Sequence, residues 1–137
     1  MASFALTDAS IVLNGVNISP FCTSVTVSTE VDEQEDTAFG DAWRSRIAGL
    51  RDFTLDLDLN GDFAASAVDA TIWPLLGATT TVVIKPTSAA VSATNPSYTG
   101  TVLVKEYSPL DGSVGDLSTT SVSWPGAGGT GLVRAVA

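Results

Sequence analysis

Apolar and polar side chains alternate with a period of two along much of this chain, the spacing of a half-buried strand. The clearest run is 51–60. Phe53, Leu55, Leu57 and Leu59 fall on one side there, and Asp52, Thr54, Asp56 and Asp58 on the other. A second run, 21–29, sets Val25 and Val27 against Ser24, Thr26 and Ser28. Shorter strands are expected at 10–13 and 16–18, either side of Asn14-Gly15, a pair that tolerates the positive φ of a tight hairpin. Further strands are expected at 79–85, 97–107, 117–124 and 132–136, with a turn at 109–112 and a glycine-rich stretch through Gly126, Gly128, Gly129 and Gly131. Six to eight strands and little else predict a mostly β chain, an antiparallel β-sandwich or partial barrel.

Two segments depart from the alternation. Residues 63–76 place Ala64, Val68 and Ile72 at helical spacing, flanked by Ala65 and Leu75, with Asp62 as the expected cap and Pro74 and Gly77 as stops. One flanking helix is therefore expected at about 63–76. Between about 30 and 50 the pattern breaks altogether. Glu30, Asp32, Glu33, Glu35 and Asp36 crowd acids together, and Arg44, Arg46 and Arg51 follow, with Phe39, Trp43, Ile47 and Leu50 as the apolar members. Connections this long are usually functional or disordered. The segment reads either as a solvated charged loop or as a long extended arm that orders against a neighbouring subunit, acids of one copy meeting arginines of the next.

Composition narrows the function. The 137 residues make one domain, 1–137. Only 15% of them are charged, which suits packing against other protein, and the net charge is −9. Six basic residues are too few to grip phosphates, and the acidic balance repels a nucleic-acid backbone, as a conduit for DNA requires. Histidine is absent, which removes the commonest general base and metal ligand. Cys22 is alone and reads as a small buried or half-buried hydrophobe. The run Asp56-Leu57-Asp58-Leu59-Asn60-Gly61 echoes the start of a calcium loop, but its twelfth position is Ala67 where a bidentate Glu is needed. No activated serine and no phosphate loop stands out. The expectation is no catalytic residue, no metal, no cofactor and no enzyme. Residues 1–10 have no leader-like pattern, and no run is apolar enough for a membrane span.

The order of these pieces resembles the tail tube (major tail) proteins of long-tailed bacteriophages. The best segment is 43–57: an aromatic, Trp43, then the turn Gly49-Leu50-Arg51-Asp52, then the alternating strand, with Ala48 where the family often has proline. A helix follows, then Ser97-Tyr98-Thr99-Gly100-Thr101-Val102 and a closing Ser/Val strand at 118–124. The resemblance covers most of the chain. It implies a virion protein, made in the bacterial host cytoplasm, that self-assembles into stacked hexameric rings. These form a tube for genome passage, and an added C-terminal immunoglobulin-like module is not expected. Its partners would be further copies, together with the tape measure and terminator proteins of the tail; DNA would pass without specific binding, and no membrane is involved. The inter-ring interface would take Glu30, Asp32, Glu33, Glu35, Asp36, Phe39, Trp43, Arg44, Arg46 and Arg51. Asp56 and Asp58 would face the lumen. Two rival readings are a capsid decoration protein and a carbohydrate-binding β-sandwich using Trp43, Trp73 and Trp124.

Overall fold

The computed structural model describes residues 5–65, 67–110, 112–128 and 131–136. Ser66 of the expected helix, Asp111 of the expected turn and Gly129 of the glycine stretch lie outside the described residues. Strands β1 (Ser10–Leu13), β2 (Val16–Asn17), β5 (Thr79–Lys85), β6 (Ser97–Leu103) and β8 (Val133–Ala135) form one antiparallel sheet in the order β2-β1-β5-β6-β8. Strands β3 (Cys22–Glu35), β4 (Arg46–Asn60) and β7 (Thr119–Pro125) form a second, in the order β3-β4-β7. The fold is thus a two-sheet antiparallel β structure with one short helix, α1 (Val68–Ile72). Asn14 and Gly15 sit at φ 50 and 79, as the turn between β1 and β2 demands.

The alternation decides which faces meet. Leu55, Leu57 and Leu59 of β4, with Val122 and Trp124 of β7, pack against Ile11, Leu13, Val82 and Val102 of the other sheet. Trp124 is fully buried, and its indole nitrogen donates to the backbone oxygen of Glu106 at 3.0 Å, so the aromatic is buried with its polar atom satisfied. The sheets converge at Gly126. It bridges to Val102 of β6 and donates its backbone N–H to the oxygen of Phe53 at 2.8 Å. No side chain fits between them there. A Cβ on Gly126 would stand 2.5 Å from Phe53 Cε1, and one on Gly100 would stand 2.8 Å from Phe53 Cζ.

Strand β6 ends at Leu103 instead of reaching 107, and two larger expectations also need correcting. The helix occupies only Val68–Ile72, continued by a 3-10 turn over Trp73–Leu75 that contains Pro74, and does not reach back to Phe63. The Asp62 side chain does not cap it: its Oδ1 accepts from the backbone N–H of Ala64 at 2.9 Å, folding 62–64 into a local turn that competes with helix, and only its backbone oxygen reaches the helix, accepting from the N–H of Asp69 at 3.1 Å. Ala64 and Ala65 are exposed, so the first expected turn has no core contact to hold it, whereas Val68 and Ile72 are fully buried. The second correction concerns 30–50, of which only the tip, 36–45, is loop. β3 and β4 run on past the core as a two-stranded hairpin, paired from Cys22↔Leu59 out to Glu35↔Arg46. The hydrophobic pattern fails there because neither face of the hairpin is covered, while backbone pairing needs no apolar face.

Candidate assembly surfaces

The hairpin is the first surface. Its ladder shifts register near its base, between Cys22↔Leu59 and Ser24↔Asp58, and again between Val31↔Arg51 and Glu33↔Ala48, the second shift leaving Asp32 opposite a bulge in β4. Gly49 belongs in that bulge because an added Cβ would come within 3.2 Å of both the Cβ and the backbone oxygen of Asp32. Beyond it the acids and arginines meet within one chain. Arg46 Nε lies 3.6 Å from Glu33 Oε1, and Arg44 Nε lies 3.8 Å from Glu35 Oε1. Pairing in cis therefore replaces part of the pairing in trans expected from the sequence, since antiparallel strands bring the two charge clusters side by side. The tip is closed by its own hydrogen bonds: Asp36 N to Ser45 O at 2.9 Å, Ala38 N to Asp41 Oδ2 at 2.8 Å, and Ser45 N to Thr37 Oγ1 at 2.8 Å. Phe39 and Trp43 project from this ordered tip at 109% and 87% exposure, and Ile47 and Leu50 are exposed as well.

The second surface is the outer face of the three-stranded sheet. Thr26↔Asp56↔Ser123 and Ser24↔Asp58↔Ser121 are cross-strand rows on this face. Asp58 Oδ1 accepts from Ser121 Oγ at 2.6 Å. One row nearer the arm Thr54 pairs with Ser28, and beyond that Glu30 stands directly opposite Asp52. The face is built of hydroxyls and carboxylates, and no Lys or Arg occupies these rows. The expectation that Leu55, Leu57 and Leu59 claim the core and leave Asp56 and Asp58 outside is met: Asp58 is exposed and Asp56 half-buried.

Both edges of this sheet end on a strand with a single partner. Among the described residues β3, 14 residues long, pairs only with β4, and β7 pairs in the sheet only with β4. On β7 the Glu106 carboxylate accepts from the backbone N–H of Ser123 at 2.8 Å. A long edge strand invites pairing with another chain.

Sequence reasoning missed a groove at the base of the arm, lined by Val31, Leu50, Arg51, Tyr98, Leu132 and Arg134 among others. Its only signal was Leu132 and Arg134 after the glycine stretch. Tertiary contact brings them to β3 and β4. The three tryptophans do not form a sugar platform: Trp124 is buried, Trp43 sits on the arm tip and Trp73 starts the 3-10 turn after α1. Cys22 is half-buried, and burial pushes its thiol up, away from the reactive thiolate. Among the described residues no cluster of side chains has metal-ligand geometry, and no helix is long and apolar enough to cross a membrane.

No family model and no curated protein matches the chain. Solved structures do. A chain from the virion of a native gene transfer agent particle aligns with a TM-score of 0.77 at 14% identity, over 96% of this chain and 98% of that one. A chain from the six-fold-symmetrised baseplate of an anti-feeding prophage aligns with a TM-score of 0.55 at 11% identity, over 98% and 97%. Both alignments run essentially end to end, so the likeness extends to the whole two-sheet fold with its hairpin. By architecture the chain is similar to subunits of a gene transfer agent virion and of a prophage baseplate, in keeping with its resemblance to phage tail tube proteins.

Proposed function

We propose that this chain is a structural subunit of a phage-type tail tube. The observation that carries the reading is the three-stranded sheet β3-β4-β7: its two edge strands each pair in the sheet with β4 alone, and its outer face carries Asp56 and Asp58 among hydroxyls, with no cation beside them. Pairing of β3 in one copy with β7 in the next continues the sheet from subunit to subunit. It satisfies the edge groups of β3 and requires the Glu106 carboxylate to release the Ser123 N–H on β7. Six copies close the sheet into a ring with the acidic face inward. DNA phosphates are repelled by such a wall and pass without sticking. The hairpins then lie off the ring, where they reach the next ring and stack rings into a tube. The fold likeness to chains of a gene transfer agent virion and a prophage baseplate supports this reading, and the role calls for no catalytic group. Tape measure and terminator proteins are the partners this role brings.

Negative-stain microscopy of concentrated protein tests the proposal. Rings and tubes are expected, and side-chain mapping in the assembled particle is expected to place Asp56 and Asp58 on the inner wall. Protein that stays monomeric at high concentration overturns the assembly. Finding both aspartates on the exterior overturns the lumen assignment.

A further inference from the structure

We propose that the groove at the base of the arm in one copy receives the arm tip of a second copy. The inference rests on the tube reading above and names the receptor for the arm.

The tip is a finished plug. Its backbone is closed on itself through Asp36, Ala38 and Ser45, and Gly40 takes the φ of 95 that the turn requires. Phe39 and Trp43 nevertheless have nothing to pack on among the described residues of their own chain. Aromatic side chains held on an ordered loop lose little conformational entropy on docking and are the usual anchors of protein interfaces.

The groove is a matching socket. Tyr98, Leu132 and Val31 provide apolar walls, and the groove continues past Tyr98 and Leu132 into a second hollow floored by Val25, Val27 and Ile84. Arg51 and Arg134 border the first part and Lys85 the second, and none of the three makes an ion pair among the described residues. Glu30 and Asp52 also border the groove, but they are a directly opposed pair adjacent to Val31↔Arg51 and so belong to the other face of the hairpin. At the tip the charges run the other way. Arg44 and Arg46 are matched by Glu35 and Glu33, which leaves Asp36 and Asp41 as excess negative charge beside the aromatics. An acidic aromatic plug thus complements a basic apolar socket.

The contact has to be made in trans. From the Thr29↔Phe53 pair at the groove to the Glu35↔Arg46 pair below the tip, β3 advances six residues, about 20 Å of paired ladder. A chain's own tip is therefore carried away from its own groove. Two different surfaces meeting between copies make a head-to-tail contact, which closes a ring or grows without limit.

The test places the photoreactive residue benzoylphenylalanine at position 43 of the full chain. Assembled protein is irradiated and the cross-linked peptides are mapped. Links to Tyr98 and to 131–134 of another copy are expected. In parallel, Trp43→Ser and Arg134→Glu are each expected to raise the concentration at which tubes appear by at least about tenfold, with an unchanged circular dichroism spectrum, since both residues are exposed. Tubes whose cross-links fall outside the groove, or that form at an unchanged concentration in either variant, overturn this contact and leave the tube reading standing. A wild-type chain that never associates overturns both.

Discussion

Gly126→Ala tests how the sandwich holds the base of its arm. Gly126 is not among the glycines with positive φ, so alanine suits its backbone, and lower entropy of the unfolded chain would by itself stabilise by about 0.4–1 kcal/mol. Space decides the outcome instead. The new Cβ would stand 2.5 Å and 2.6 Å from two ring carbons of Phe53, which is only 4% exposed and is hemmed on another side by Gly100. The ring has to shift or the strands have to part, and overpacking of this kind costs about 1–3 kcal/mol. The net expectation is a loss of about 1–2 kcal/mol against a total of roughly 5–15 kcal/mol. A urea-denaturation double-mutant cycle with Phe53→Leu measures it. Both singles should destabilise, and the double mutant should lose clearly less than their sum, because the smaller side chain opens the room the methyl needs. A neutral Gly126→Ala, or strictly additive losses, would refute the account of Phe53 as wedged between the two glycines. The consequence for assembly follows from position: Phe53 is the last buried residue of β4 before the arm, so a variant that moves it should also form tubes less readily.

Three further outcomes follow from named contacts. Val68→Asp puts a carboxylate at a fully buried position of α1 and should yield insoluble protein in expression trials; a soluble, assembling variant would show that the helix face is wrongly assigned. Arg44→Glu combined with Arg46→Glu sets like charges beside Glu35 and Glu33 in place of two exposed cis ion pairs, so the tip should lose order at a cost of about 1 kcal/mol or less per pair and polymerisation followed by light scattering should weaken because the plug is no longer preformed; normal tubes would show that the cis pairs do not hold the tip and leave Trp43 as the anchor. The Tyr107 hydroxyl donates to Asp69 Oδ1 at 3.1 Å, and burial together with that carboxylate pushes its pKa up to about 12 from 10.0. The folded state therefore favours the protonated phenol, whose stabilisation is complete below pH 10 and is lost as pH rises toward 12. Thermal melts at pH 9 and 11 should show a smaller alkaline drop in Tyr107→Phe than in the parent, and equal drops would remove Tyr107 from the titration.

How much of this was legible beforehand follows from which signals are local. The strand 51–60, the Asn14-Gly15 turn and the burial of Val68 and Ile72 could be read directly, because a period of two, a positive-φ pair and a helical spacing are properties of neighbouring residues. The outward placement of Asp56 and Asp58 followed from the same alternation once Leu55, Leu57 and Leu59 were given the core. The sequence by itself thus determined the class of fold, the sign of the outer sheet face and the absence of histidine. It could not determine that residues 30–50 form a hairpin, since a two-stranded ribbon with both faces exposed places no periodic demand on its side chains. Nor could it pair Glu33 with Arg46 and Glu35 with Arg44, because that register depends on a bulge opposite Asp32. The groove at the arm's base depends most on tertiary structure. Leu132 and Arg134 approach β3 and β4 only because β8 joins the far sheet beside β6, and because Gly100 and Gly126 let the two sheets close around Phe53. Contacts between residues distant in sequence leave no periodic trace in either partner, so only the folded chain brings socket and plug into view.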